Sequence, residues 1–274
     1  MKVTKLTAHI GAEISGIDLN APLGPVVQDA VYKALMDHQV IFFRDQELSP
    51  EHHLAFAKSF GDIDKPHPIY AHVEGFPAIV KLANDASNPP DTDGWHTDLT
   101  FRQNPPFASI LVAREIPEVG GDTLWASMSA PYDSLPPDIQ QYLGTLNAIH
   151  DMGDFRNNFT VGEQNSAKLD EAMTHFGSAI HPVVRTHPVT GRKFIYVNDG
   201  FTQHIIGLTA RESRRLLTFI LDHINRPEYQ VRFQWRVGSV AMWDNRCTQH
   251  YAVADYLPSY RCMNRITVIN DRRV

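Results

Sequence analysis

The feature that most restricts this chain is a succession of short apolar runs, each cut off by turn-forming residues. Runs of strand character recur at 39–45 ("QVIFFRD"), 78–83 ("AIVKLA"), 108–114 ("ASILVAR"), 181–187 ("HPVVRTH"), 193–198 ("KFIYVN"), 229–235 ("YQVRFQW"), 239–245 ("SVAMWDN") and 265–270 ("RITVIN"). Pro105-Pro106, Gly120-Gly121, Pro188 and Gly191 punctuate them. Each run has the length of a strand and is short for a buried helix. Helical spacing of apolar residues is clear in 26–38, 50–60 and 210–224. Ser49-Pro50 opens the second of these, because proline is tolerated in a first turn. Thr209 and Glu212 have capping-box spacing ahead of the third. Strands and helices do not alternate as a doubly wound sheet requires. The pattern predicts a mainly β chain with flanking helices, a sandwich or jelly roll. No internal repeat or low-complexity linker divides it, so one domain is expected over residues 1–274.

Composition narrows the partners. A hydrophobic content of 43% and a charged content of 20% allow a large core and argue against disorder. A net charge of −6 and a pI near 6.1 argue against nucleic acid or an anionic membrane surface. No apolar run approaches a membrane span, and the first residues lack the apolar centre of a signal peptide. A cytoplasmic location is expected. Cys247 and Cys262 suffice for neither a disulfide framework nor a zinc cluster, and are expected to be buried small hydrophobes. Trp95, Trp125 and Trp243 are expected in the core.

The stretch "GWHTDLTF" at 94–101 holds His96 and Asp98 two residues apart. With 14 histidines in the chain, about one His-x-Asp arises by chance, so the pair proves nothing alone. If 95–101 is extended, both side chains point to one face and can chelate one ion. His250, just past the run 239–245, is the strongest third ligand, with His181 and His187 next. Two histidines and a carboxylate form the facial triad of non-haem Fe(II) oxygenases, although the same donors suit Zn(II) or Mn(II). In an extended "RCMNRITVIN", Arg261, Met263 and Arg265 share a face. Two inward guanidiniums are costly unless each meets an anion. A metal site flanked by two anion sites follows. Taken singly, each of these residues is ordinary; their joint order and strand context carry the reading.

That order resembles the TauD/TfdA family of Fe(II)- and 2-oxoglutarate-dependent dioxygenases, and most of all its taurine-oxidising members. The resemblance runs through "IGAEISGIDL", "HQVIFFRDQ", "HPIYAH", "WHTDLTF", "GGDTLWAS", "HPVVRTHPVTGRK" and "WDNRCTQHYAVADYLP". It implies a double-stranded β-helix with helices outside, and Fe(II) on His96, Asp98 and His250 as the catalytic centre. It implies 2-oxoglutarate and O2 as co-substrates, with the distal carboxylate of the keto acid on Arg261 and Thr123. It places a sulfonate on Arg265 and His67, with Tyr70, Phe159 and Phe201 lining the pocket. Thr92 stands where the family's taurine enzymes have an asparagine near the substrate amine, and 160–180 shows little resemblance. The implied reaction hydroxylates the carbon next to sulfur of a small sulfonate, taurine first, releasing sulfite and an aldehyde with succinate and CO2. Alkyl-sulfate, longer alkanesulfonate or aryloxyalkanoate oxidation is the alternative within the class. Outside it stands a metal-binding jelly roll without turnover, against which the arginine pair speaks. The expected partners are a small anionic substrate and further copies of the chain, as a dimer or tetramer.

Overall fold

A computed structural model describes residues 1–67, 70–90, 94–152 and 177–274. In chain order the elements begin with β1 (Lys2–Lys5), β2 (Ala12–Ser15), α1 (Pro25–His38), β3 (Val40–Phe43), α2 (Pro50–Lys58), β4 (His72–Val73) and β5 (Phe76–Asn84). Then come β6 (Ala108–Glu115), β7 (Thr123–Ser127), α3 (Ser129–Ser134), α4 (Pro137–Leu143) and β8 (Asn147–His150). The rest are β9 (Ala179–Pro182), β10 (Val184–Thr186), β11 (Lys193–Ile195), β12 (Thr202–Ile205), α5 (Ala210–Ile224), β13 (Gln230–Phe233), β14 (Val240–Asp244), β15 (Thr248–Ala252) and β16 (Arg261–Val268).

The helix signals act where the sequence puts them. Pro25 opens α1 and Pro50 opens α2, where the Ser49 side chain accepts from the His52 amide. Thr209 and Glu212 close a reciprocal capping box on α5. Among the described residues no helix is long and apolar enough to cross a membrane.

Eight strands form one sheet in the order β1-β2-β3-β14-β6-β16-β5-β4, antiparallel throughout except between β2 and β3. Its two faces separate by residue parity. Ile41, Phe43, Ile110, Val112, Val240, Met242, Ile266 and Val268 pack with Val31, Leu35 and Phe56 of α1 and α2. Phe42, Leu111, Ala241, Trp243 and Met263 face the other way, onto Trp125, Val231 and Phe233 of a second sheet, β13-β7-β15. A third sheet, β12-β8-β9, carries α5 through Leu217, Ile220 and Ile224, and β10 with β11 forms a separate hairpin.

This corrects the expected architecture. Instead of a mainly β double-stranded β-helix or jelly roll, the described residues form a mixed α/β fold with several sheets, none closed into a barrel or jelly roll. The reason lies in the runs themselves. Period-two patterning identifies a strand but not the strand it pairs with. Here β3 and β14 are buried at every position, which demands a covering layer on each side rather than closure. Helices supply one layer and the β13-β7-β15 sheet the other.

Candidate metal centre and anion sites

β15 presents His250. On one side it pairs with β7, His250 opposite Trp125. On its other side a single antiparallel bridge joins His250 to His96. The two residues exchange both backbone hydrogen bonds, His96 N to His250 O at 3.0 Å and His250 N to His96 O at 2.8 Å. Directly opposed residues project to one face, and the two imidazole centroids lie 4.2 Å apart.

Asp98 reaches the same point by a different route from the one the sequence suggests. The stretch 95–101 is not one extended run: after the bridge at His96 the chain turns at Asp98–Thr100, and Leu99 takes a φ of 57°. The turn is held from afar. The Asn245 side chain accepts from the Asp98 amide and donates to the Asp98 carbonyl, both at 2.9 Å. Arg102 N closes it onto Leu99 O at 3.0 Å. As a result Asp98 Oδ1 lies 3.8 Å from Nε2 of both His96 and His250. The three ligand atoms fall within 4.8 Å of one another, all in buried residues.

The surroundings set the donors' states. His96 Nδ1 donates to Gly94 O at 2.8 Å, which leaves Nε2 as a lone-pair donor. Burial pushes the His250 imidazole down to about 3, with His96 adding to the effect, so it is neutral as a metal ligand must be. Burial alone would raise the Asp98 carboxyl; Arg265, His250 and His96 outweigh it and hold the group below its ordinary range. Its Oδ2 accepts from Ser109 Oγ at 2.9 Å. The donor set therefore fits a divalent metal without rearranging charge. Gly200 makes room for it, since a Cβ there would come within 3.1 Å of the His96 Cβ.

β16 alternates as its sequence implies: Met263 joins the Trp125 side and Ile266 the helix side, so Arg261 and Arg265 share the face of Met263. Arg261 is buried. Its Nε donates to Gly121 O at 3.1 Å, while Nη2 is buried without a hydrogen-bond partner among the described residues. Gly121, at φ 71°, lets the arginine lie close, for a Cβ there would be 3.1 Å from Arg261 Cδ. Thr123, two residues on, accepts from Trp235 Nε1 at 2.9 Å and keeps its own proton to donate. A buried cation lacking a counter-ion is a standing demand for an anion. These residues fit the distal carboxylate of a keto acid.

Arg265 Nη1 lies 3.3 Å from Asp98 Oδ1, and its Nε is buried with no partner among the described residues. Burial lowers the His67 imidazole to about 3, and the charges of Arg265 and Arg102 add to this. Its Nδ1 accepts from the Tyr70 amide at 3.3 Å, which places the proton of the neutral ring on Nε2. Tyr70 and Phe201 belong to one apolar cluster with Phe101 and Met152, and the Phe201 ring meets His96 edge-on at 6.2 Å. Thr92, Phe159 and residues 160–176 lie outside the described residues.

The fallback ligands are elsewhere. His181 Nε2 bonds the carbonyls of Thr100 and Arg102 at 2.8 and 3.1 Å. His187 pairs with Asp244 at 3.0 Å. His187, Asp244 and Cys247 also cluster, but Arg246 grips Asp244 at 2.6 Å and the amides of Val189 and Thr190 occupy His187 Nδ1. That group is a structural ion pair. Sequence reasoning missed Asn245, Ser109 and Gly200. Ser109 alone left a trace, as a hydroxyl in an otherwise apolar, fully buried strand segment; nothing in residue type announces the other two.

Comparison with known proteins agrees with this geometry. The family model for the taurine catabolism dioxygenase TauD, TfdA family, matches residues 2–267. The chain is 37% identical to the alkylsulfatase of Acinetobacter baylyi, covering 99% of this chain and 86% of that protein. It is 35% identical to the alpha-ketoglutarate-dependent sulfate ester dioxygenase of Pseudomonas putida, covering 99% and 90%. A crystal structure described as a putative alpha-ketoglutarate-dependent taurine dioxygenase from Burkholderia xenovorans superposes with a TM-score of 0.85 at 39% identity, covering 98% of this chain and 90% of that one.

Proposed function

Since this chain belongs to the TauD/TfdA family and carries the two-histidine, one-carboxylate triad of an Fe(II)- and 2-oxoglutarate-dependent dioxygenase for a small anionic substrate, we propose that the anion is an organic sulfur oxyanion. Oxidation then falls on the carbon next to it. A small sulfonate, taurine first, is the primary reading. Alkyl sulfate esters are the second, favoured by the two relatives that act on sulfate esters by name.

One observation carries the proposal: a second, incompletely paired arginine, Arg265, stands against the triad's own Asp98, with the neutral donor His67 close enough to feel its charge. When bound, Fe(II) and 2-oxoglutarate activate O2 and supply the oxidation, with succinate and CO2 as co-products. His96, Asp98 and His250 hold the metal. Arg261 and Thr123 bind the distal carboxylate and fix the keto acid in one orientation. Arg265 and His67 hold the sulfur oxyanion, so the adjoining carbon is presented and the rest of the molecule points away. Phe101, Tyr70 and Phe201 form a wall that excludes water. Hydroxylation of a carbon bearing sulfonate gives an adduct whose C–S bond breaks. The electron pair leaves with sulfite, the hydroxyl proton is lost, and an aldehyde remains. An alkyl sulfate breaks at C–O in the same way and releases sulfate.

The test is a panel of taurine, butanesulfonate, hexyl sulfate and an aryloxyacetate, read by succinate, sulfite and sulfate release. Sulfite from the sulfonates or sulfate from the ester supports the proposal. Turnover of the aryloxyacetate with neither sulfur compound consumed refutes it and assigns Arg265 to a carboxylate. Thr92→Asn is expected to raise the preference for taurine over butanesulfonate, because an amide reaches an ammonium better than a hydroxyl does.

A further inference from the structure

We propose that the ion pair Asp64–Arg102 is a latch that sets His67 over the metal triad, and thereby the grip on the substrate's oxyanion; this rests on the reading of His67 as an oxyanion donor. His67 follows α2, outside any helix or strand, so besides its bond to the Tyr70 amide its position depends on what pins the residues before it. Ile63 forms an isolated antiparallel bridge with Val268, and Asp64 N donates to Thr267 O at 2.9 Å. The segment is thus moored to β16, the strand that carries Arg265. From that mooring the Asp64 side chain turns to the other half of the site: Oδ2 accepts from Arg102 Nη1 at 2.6 Å.

Arg102 ends the turn that displays Asp98. Its amide bonds Leu99 O at 3.0 Å, and its carbonyl bonds His181 Nε2 at 3.1 Å. One ion pair therefore joins a short path from Asp98 to a short path from His67. Its members are 20% and 17% exposed, against 74% and 50% for the helix pair Lys33–Asp37, so solvent screens it far less. The pair also neutralises Arg102, whose charge acts on His67 together with that of Arg265. Among the described residues, Arg265 is then the cation placed to meet the substrate.

The test is calorimetric titration of the anaerobic, Mn(II)- and 2-oxoglutarate-loaded protein with butanesulfonate and hexyl sulfate, alongside steady-state kinetics with Fe(II). Asp64→Asn and Arg102→Gln are each expected to weaken binding of the oxyanion about tenfold, with 2-oxoglutarate affinity unchanged. The exchanged pair Asp64→Arg/Arg102→Asp is expected to recover most of the loss, and Arg102→Lys to fall in between. A merely structural contact would shift both ligands together. If the exchanged pair binds as poorly as the single variants, Arg102 touches the substrate itself and the latch is overturned. His67→Ala separates this proposal from the reading beneath it. If it weakens the oxyanion while the single variants do not, only the latch fails. If it leaves the oxyanion unaffected, or if wild type binds neither probe, both fail.

Discussion

Replacing Arg261 with methionine tests the co-substrate assignment, because it should move two quantities in opposite directions. In the protein without ligand, the Arg261 guanidinium is buried, with Gly121 O as its hydrogen-bond acceptor and Nη2 without a partner among the described residues. Burial pulls its pKa below the ordinary value, against the charges of Tyr256, Asp122 and Cys262, so the cation is held under protest. Methionine fills much of the same volume and carries no charge. The ligand-free variant is therefore expected to melt no lower than wild type, and replacements of uncompensated buried ions are often neutral or stabilising. Binding responds in the reverse sense. With Nε committed, one or two charge-assisted hydrogen bonds remain for the keto-acid carboxylate, each worth roughly 1.5–3 kcal/mol. Loss of one such bond corresponds to about a ten- to 160-fold weaker 2-oxoglutarate affinity, and loss of two to a larger drop. Calorimetry on the anaerobic Mn(II)-loaded protein measures it directly, and the thermal stabilisation by 2-oxoglutarate should shrink in step. The sulfur substrate should bind within about twofold of wild type. Unchanged 2-oxoglutarate affinity, or a large drop in the ligand-free melting temperature, would show that Arg261 serves the fold and not the co-substrate.

Alanine at His96, Asp98 or His250 is expected to abolish turnover and to remove the weak visible band that an iron–keto acid complex shows without oxygen; a His250→Ala variant that retains both refutes the triad. Asn245→Ala frees the turn that carries Asp98 and is expected to lower metal affinity by about 10–100-fold with the ligands intact, read by competition with a chelator. His53 is fully buried and its pKa is held down to about 3 by burial and by Arg114. The unfolded chain takes up that proton near 6.5, so stability is expected to fall as pH drops from about 6.5 toward 3. His53→Met should flatten that part of the denaturant-midpoint curve, and an unaltered slope refutes it.

Local features of the sequence translate directly into structure. Ser49 and Thr209 cap the helices they precede, Glu212 closes the capping box from the first turn of α5, and the alternation in β16 puts both arginines on one face, because each is decided by residues a few positions apart. Sheet arrangement is decided elsewhere. β14 reads as a strand, but only its two-sided burial shows that it lies inside a covered sheet. The same limit applied to the metal site. His96 and Asp98 were expected on one strand face; they converge because Asn245, far along the chain, folds Asp98 into a turn with Leu99 at positive φ. The ligand identities were legible in their order, but the geometry that joins them was not.

The order of strands in the large sheet also bears on how such a chain is made. β14 and β16, near the end of the sequence, are interior strands: β14 lies between β3 and β6, and β16 between β6 and β5. As the polypeptide leaves the ribosome, the neighbours they will join wait with unpaired edges, each a template for faulty association. The sheet is zipped last and from within. A chain stopped just short of Arg261 lacks more than one ribbon of structure: β5 with β4 loses its link to β6, and neither arginine site is made. Shielding of those edges until β14 and β16 arrive is the step at which folding of this sheet is most exposed to aggregation.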